Sequence, residues 1–227
     1  MEFKVENGDG IDSWKEVTLV YSAALRQMET KMQILNDEFQ HVHQYNPIEH
    51  IKARIKTPES IVKKLKRYGQ ESTIDNMVKY INDIAGIRII CSFTSDIYRI
   101  ADMIRDQRDI KVIAVKDYIT YPKASGYKSY HMIVSIPVYL SDRTVDTKVE
   151  VQIRTVAMDF WASLEHKIYY KSDFEAPDYL QRELKACADV VDMLDAKMFS
   201  LNQAILEWNR RDDGKQEEKE PEKSEIT

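Results

Sequence analysis

The stretch VDTKVEVQIRT, Val145 to Thr155, decides the fold. Side chains alternate with period two along a strand, so Val145, Thr147, Val149, Val151 and Ile153 point one way. Asp146, Lys148, Glu150, Gln152 and Arg154 point the other. An apolar row opposite a polar row is a half-buried strand. Two readings of the polar row are open at this point. Either it is a solvated face, or Glu150 and Gln152 line a site in which Glu150 holds a metal or accepts a proton.

Working outward, residues 131–140 form a neighbouring strand, and Pro137 predicts a place near an edge or an early end. Residues 110–119 give another strand. In DIAGIRIICSF, Asp83 to Phe93, the residues Ile87, Ile89, Cys91 and Phe93 alternate with Gly86, Arg88, Ile90 and Ser92. Helical spacing predicts helices elsewhere. A long one runs from Ser13 to about Tyr45, with Val17, Val20, Ala24, Met28, Met32, Leu35 and Phe39 on one face, and Tyr45-Asn46-Pro47 stops it. Thr57-Pro58 opens a second, which ends near Gly69. Further helices are predicted from Ser72, over 95–107, over 156–171 and over 178–208. The sum is one α/β domain with a helical N-terminal arm and a helical C-terminal extension.

Composition narrows the function classes. The chain has 227 residues, enough for one full core. No apolar run reaches the roughly 20 residues of a membrane span, and the start MEFKVENGDG is neither a signal nor a transit peptide. A cytoplasmic protein without a membrane partner is expected. Cys91 and Cys187 have no framework spacing and are read as two reduced, buried thiols. The net charge of −5 argues against a protein whose whole surface binds nucleic acid, so no DNA partner is expected. The tail after Arg210 is almost wholly polar and is predicted to be disordered.

Positive charge is nevertheless concentrated. Between Lys52 and Arg67 lie Lys52, Arg54, Lys56, Lys63, Lys64, Lys66 and Arg67 against Glu59 alone. Ser60, Lys63, Lys64 and Arg67 share one helical face, with Ile61, Val62, Leu65 and Tyr68 largely on the other. That face is a solvated lysine patch or a polyphosphate site near a helix N-terminus. Asp83, at a strand mouth before Ala85-Gly86, is a cap residue or a second carboxylate for Mg²⁺, which prefers one or two carboxylates plus phosphate oxygens. Taken together, Asp83, Glu150 and the cations compose a phosphoryl-transfer site.

The connector KDYITYPKASGYKSYH, Lys116 to His131, holds four tyrosines and three lysines. A tyrosine beside glycine can present its ring to a base while lysines meet phosphates; packing on its own sheet explains the loop equally well. No P-loop, dinucleotide fingerprint, CxxC pair or HExxH occurs.

Several pieces resemble the small alarmone synthetases, stand-alone relatives of the synthetase domain of Rel/SpoT-type enzymes, and the RelP-like branch most closely. They are YNPIEHIKARIK, ESIVKKLKR, DIAGIRIICSF, KDYITYPKASGYKSYH, VEVQIRTVAMDFW and SLEHKIYYK, in family order. The resemblance implies a nucleotidyltransferase-like synthetase domain with a mixed sheet of about five strands, flanked by helices, including long N- and C-terminal ones. It assigns residues 1–12 to a flexible start, 13–172 to the synthetase domain, 173–210 to a helical extension and 211–227 to the tail. The implied reaction moves the β,γ-pyrophosphate of ATP to the ribose 3′-hydroxyl of GDP or GTP, as in the stringent response.

By position, Arg54, Lys56, Ser60, Lys64, Arg67 and Arg88 would serve ATP. Asp83 would hold Mg²⁺, and Glu150 would join it or help deprotonate the acceptor hydroxyl. Arg54 and Lys56 would count with these carboxylates as catalytic. Tyr127 would stack on guanine, with Lys123, His131 and Gln152 completing the acceptor side and Gly126 allowing close approach. The resemblance also implies a homotetramer. The lack of a His-Asp dipeptide predicts synthesis without hydrolysis, and Ala114 stands where long relatives often carry an arginine. His50, Lys52 and Asp159 depart from the pattern of a branch that its own product activates, so no strong activation of that kind is expected. Two other functions fit the residues less closely. One is pyrophosphate transfer to an adenine nucleotide or a tRNA end. The other is single-stranded RNA binding through Lys123, Tyr127, Lys128 and Tyr130.

Overall fold

Ser13 accepts a hydrogen bond from the backbone N–H of Glu16 at 3.2 Å and so caps the first helix, α1, Trp14–Val42. In the computed structural model, residues 13–43, 45–170 and 177–217 are described. After α1 come β1 (Ile48–Ile55), α2 (Pro58–Arg67), α3 (Ile74–Tyr80), β2 (Ala85–Cys91) and α4 (Thr94–Arg105). They are followed by β3 (Lys111–Asp117), β4 (Tyr130–Tyr139), β5 (Thr144–Thr155), α5 (Val156–Tyr170) and α6 (Asp178–Glu217).

The strands form one mixed sheet in the order β1-β2-β5-β4-β3. The β2–β5 pair is parallel and the other pairs are antiparallel. α1 packs across β1, β2, β4 and β5, and α4 packs against β2 and β5. The apolar row that opens the sequence reading, Val149, Val151 and Ile153, is buried in this core with Ile87, Ile89, Met132 and Val134. Met28 and Met32 of α1 are fully buried against it, each contributing about 1.5–3 kcal/mol. The opposite row of β5 faces the other side of the sheet, which is left open for a site.

Several expectations need correction. Residues 48–55 form a fifth strand that residue patterning missed: β1 lies at the sheet edge, with His50, Lys52 and Arg54 exposed in alternation with half-buried Ile51, Ala53 and Ile55. β4 is an interior strand. Pro137 is tolerated because it lies beyond the last β3 pairing, Lys111 with Ser135, where nothing on that side needs its missing N–H. Cys91 is buried, but Cys187 is exposed on α6. Tyr68 is exposed rather than on the apolar side of α2. α6 stays helical to Glu217, past the position where the tail was expected to begin. Residues 1–12, the expected flexible start, and 218–227 of the expected tail lie outside the described residues.

Candidate active site

Two rows of side chains cross the open face. The first runs Arg54 (β1), Gly86 (β2), Glu150 (β5) and Ile133 (β4); the second runs Lys52, Arg88, Gln152 and His131 on the same strands. Gly86 contributes no side chain between Arg54 and Glu150, so the floor stays open there. A cleft of about 520 Å³ occupies that space, lined by Arg54, Asp83, Gly86, Arg88, Glu150 and Gln152 among others. Beside it lies a cationic cleft walled by Arg54, Lys56, Ser60, Lys63, Lys64 and Arg67. A third cleft, on the other side, takes in Arg88, Lys123, Tyr127, Gln152 and Arg154. Arg54 lines all three clefts.

The cationic wall follows from local sequence. Thr57 accepts from the Ser60 N–H and, with Pro58 at the first turn, starts α2. Ile61, Val62 and Leu65 are buried, which turns Ser60, Lys63, Lys64 and Arg67 to the cleft. Lys56 Nζ lies 2.8 Å from Asp83 Oδ2, and Lys64 Nζ lies 2.9 Å from Asp83 Oδ1. Burial opposes ionisation of Asp83, but the two ammonium groups outweigh it and hold the carboxyl below the usual aspartate range. Both lysines, expected to face phosphate directly, are thus already paired with this carboxylate.

Glu150 is also held ionised. Burial pushes its pKa up; hydrogen bonding and charge from His131, then the Gln152 amide, more than reverse this. His131 Nδ1 stands 3.5 Å from Glu150 Oε1, and Gln152 Nε2 donates to Oε2 at 2.8 Å. Arg88 Nε and Arg154 Nη2 donate to Gln152 Oε1, at 3.4 and 3.1 Å. With its carbonyl turned to two arginines, the amide can only present its NH₂ to Glu150.

In the connector, Gly126 N–H donates to Lys123 O at 2.8 Å, and Lys123 N–H donates to Tyr127 O at 3.2 Å. This tight turn lifts Tyr127 to the cleft. The Lys123 ammonium lies 4.7 Å from the centre of the Tyr127 ring and 5.0 Å from that of Tyr118. Tyr127 OH bonds His131 Nε2 at 2.9 Å. His131 itself therefore sits behind the clefts, joining Tyr127 to Glu150. Gly126 does serve a close approach, but the approaching group is α6: a Cβ there would lie 2.5 Å from Ala188 Cβ.

All twelve candidate residues thus meet in one connected groove or bond directly to its walls. Patterning missed Arg154. It is 4% exposed and donates to Ser129 Oγ, Asp159 Oδ1, Tyr127 OH and Gln152 Oε1. Alternation gave its direction but not its depth. Asp159 also pairs with Arg88 at 3.1 Å and lies 3.9 Å from Lys52 Nζ, which places two of the residues considered for regulation in this charge network. His166 lines both outer clefts; it stands within SLEHKIYYK, and nothing in its spacing marked it.

Among the described residues no cluster of three or more His, Cys, Asp or Glu is placed to hold a metal, so the site offers a pair of carboxylates. None of their helices is long and apolar enough to cross a membrane.

Comparison with known proteins agrees with this architecture. The model of the region found in RelA / SpoT proteins matches residues 53–175. The chain is similar to the GTP pyrophosphokinase YwaC of Bacillus subtilis (strain 168), at 48% identity over 195 residues, covering 86% of this chain and 93% of the relative. It resembles the crystal structure of small alarmone synthetase 2 from Bacillus subtilis with a TM-score of 0.77 at 47% identity, covering 84% of this chain and 98% of that one. Small alarmone synthetase 1 from the same species, bound to its product pppGpp, gives a TM-score of 0.79 at 30% identity, over 85% and 97% of the two chains. The chain belongs to the RelA/SpoT family, among its small alarmone synthetases.

Proposed function

We infer that the chain is a GTP pyrophosphokinase, making ppGpp or pppGpp and AMP from ATP and GDP or GTP. One observation carries the reading. Two ionised carboxylates, Asp83 and Glu150, line one cleft between a cationic wall and an aromatic loop. Such a site suits a donor rich in phosphate on one side and a planar base on the other.

In this reading Arg54, Lys56, Ser60, Lys64, Arg67 and Arg88 bind ATP. Tyr127 stacks on guanine, and Lys123, His131 and Gln152 complete the acceptor side. The acceptor 3′-oxygen forms a bond to the β-phosphorus of ATP, while the bond from that phosphorus to the α,β-bridging oxygen breaks. AMP leaves with the bridging oxygen. The hydroxyl proton passes to the Glu150 carboxylate. Arg54 and Lys56 neutralise charge as it shifts to the leaving phosphate, and holding both nucleotides in line supplies much of the remaining rate.

The donor types fit Mg²⁺: two hard carboxylates, both ionised, face one cleft beside groups suited to phosphate. Lys56 or Lys64 would have to turn from Asp83 to phosphate to admit the ion. Asp83 and Glu150 would hold it, and it would acidify the attacking hydroxyl and screen phosphate charge. The lowered pKa makes Glu150 a weak base, so proton transfer to it depends on the cation acidifying the hydroxyl.

A cytoplasmic homotetramer completes the reading. Its support is a 3-4 apolar spacing along α6: Val191, Leu194, Met198, Leu201, Ile205 and Trp208. All but Val191 are at least half exposed in the single chain, as an interface stripe would be. RNA binding stays secondary, because the paired carboxylates add nothing to it.

Labelled ATP incubated with GDP, GTP, an adenine nucleotide or tRNA, followed by product separation, tests the acceptor. Labelled ppGpp or pppGpp with equimolar AMP is expected. Modification of only the adenine or RNA acceptor would overturn the guanine assignment.

A further inference from the structure

We propose that helix α6 positions the acceptor loop, with Ala188 and Asp192 acting as positioning residues for Tyr127. The inference rests on the reading of residues 123–131 as the acceptor side.

The loop is seated on α6 at three successive residues. Gly126 has φ +88°, and its Cα approaches α6 so closely that a Cβ would meet Ala188 Cβ at 2.5 Å and Lys185 Cδ at 3.2 Å. A side chain there is excluded both by conformation and by space. Lys128 pairs with Asp192, which is one turn beyond Ala188 and therefore on the same face of the helix. Between these two contacts Tyr127 packs against the small cluster of Trp161, Ala162 and Ala188.

The seat itself is anchored. Trp161 Nε1 donates to Leu184 O at 3.1 Å, which ties α5 to α6. Thr155 Oγ1, at the end of β5, donates to Asp195 Oδ2 at 2.7 Å. The other end of the Tyr127 side chain, its hydroxyl, is bonded to His131 and Arg154. The ring is thus fixed between the sheet and α6, and α6 supplies a seat in addition to Lys123 and the hydroxyl contacts. No described residue of α6 lines any of the three clefts. α6 also touches α5, whose His166 lines the cationic cleft, so the route through the loop is read at Asp192, which pairs with Lys128 of the loop.

Three variants test this: Asp192→Ala, Ala188→Leu and the charge reversal Lys128→Asp/Asp192→Lys. The pair is partly exposed, so Asp192→Ala should raise KM for GDP or GTP by about 2- to 5-fold. Ala188→Leu, which overpacks the contact, should raise it by about 10-fold or more. KM for ATP should stay at the wild-type value, and the charge reversal should restore the acceptor KM. Amide hydrogen exchange over residues 123–131 of the full chain, without substrate, should quicken in Asp192→Ala and recover in the reversal. If Ala188→Leu does not fold, the Asp192 variant and the reversal decide. Unchanged exchange and acceptor KM in folded Asp192→Ala, or equal rises in both KM values, would overturn the proposal. Quicker exchange in a chain that forms no AMP with GDP or GTP would instead sink the functional reading and leave the positioning intact.

Discussion

Lys64 donates from Nζ to Asp83 Oδ1 across 2.9 Å, which joins the basic helix to the acidic strand mouth. With Lys56 on the other oxygen at 2.8 Å, both carboxylate oxygens have an ammonium partner. Asp83→Asn would leave two part-buried ammonium groups close together without their counter-charge. We expect kcat to fall by about 100-fold or more, together with a weaker response to added Mg²⁺; AMP release at varied Mg²⁺ measures both. Because the Asp83 pKa is lowered, its stabilisation is present above the ordinary aspartate value of 3.8 and is lost as pH falls through the lower folded value. Thermal unfolding against pH should show a smaller acid-side loss in Asp83→Asn than in the wild type, the remainder belonging to Glu150 and other carboxylates with lowered pKa.

We expect His131 and Glu150 to set the acid side of the pH profile. The imidazole is the main influence drawing the Glu150 pKa down against burial. His131→Ala should therefore raise the Glu150 pKa and move the acid limb of kcat to higher pH. An acid limb at the wild-type position in this variant would mean that the limb belongs to another group.

Tyr127 offers a separation of ring from hydroxyl. Stacking on a base is worth about 1–3 kcal/mol, so Tyr127→Ala should raise acceptor KM by roughly 5- to 150-fold, with ATP KM little changed. Tyr127→Phe keeps the ring but loses the bonds to His131 and Arg154, and should fall between wild type and the alanine variant. Initial rates at varied acceptor and fixed ATP separate these cases.

Arg154 is a stability residue as well as a site residue. Truncating it removes one partner each from Asp159 and Gln152, which keep Arg88, and leaves Ser129 and Tyr127 without its bonds. Arg154→Ala should cost about 1–3 kcal/mol, and Arg154→Lys should recover only part, since one ammonium cannot reproduce the planar fork. Urea unfolding of both variants measures this.

Most of the sheet was legible because period-two alternation separates two faces wherever one face is buried. Val149, Val151 and Ile153 entered the core as their spacing requires. β1 escaped notice because Lys52 and Arg54 read as part of the cationic run, although Ile51, Ala53 and Ile55 around them keep a period of two. The carboxylates and cations could be named from type and resemblance. Their pairing could not: that Lys56 and Lys64 both turn to Asp83 depends on how α2 sits beside the mouth of β2. Gly126 was legible as a close approach, yet its neighbour is a helix more than fifty residues along the chain. Arg154 reads as surface from alternation, and α5, which supplies Asp159, is part of what buries it.

If Glu150 acts in the transfer of pyrophosphate from ATP to a guanine nucleotide, its removal must stop the reaction. The most direct test is AMP and ppGpp production by wild type and Glu150→Gln under identical Mg²⁺, with folding checked by thermal unfolding. We predict equimolar AMP and ppGpp or pppGpp from the wild type, and a loss of at least about 100-fold in kcat for the variant. Full activity in a folded Glu150→Gln protein would contradict the account.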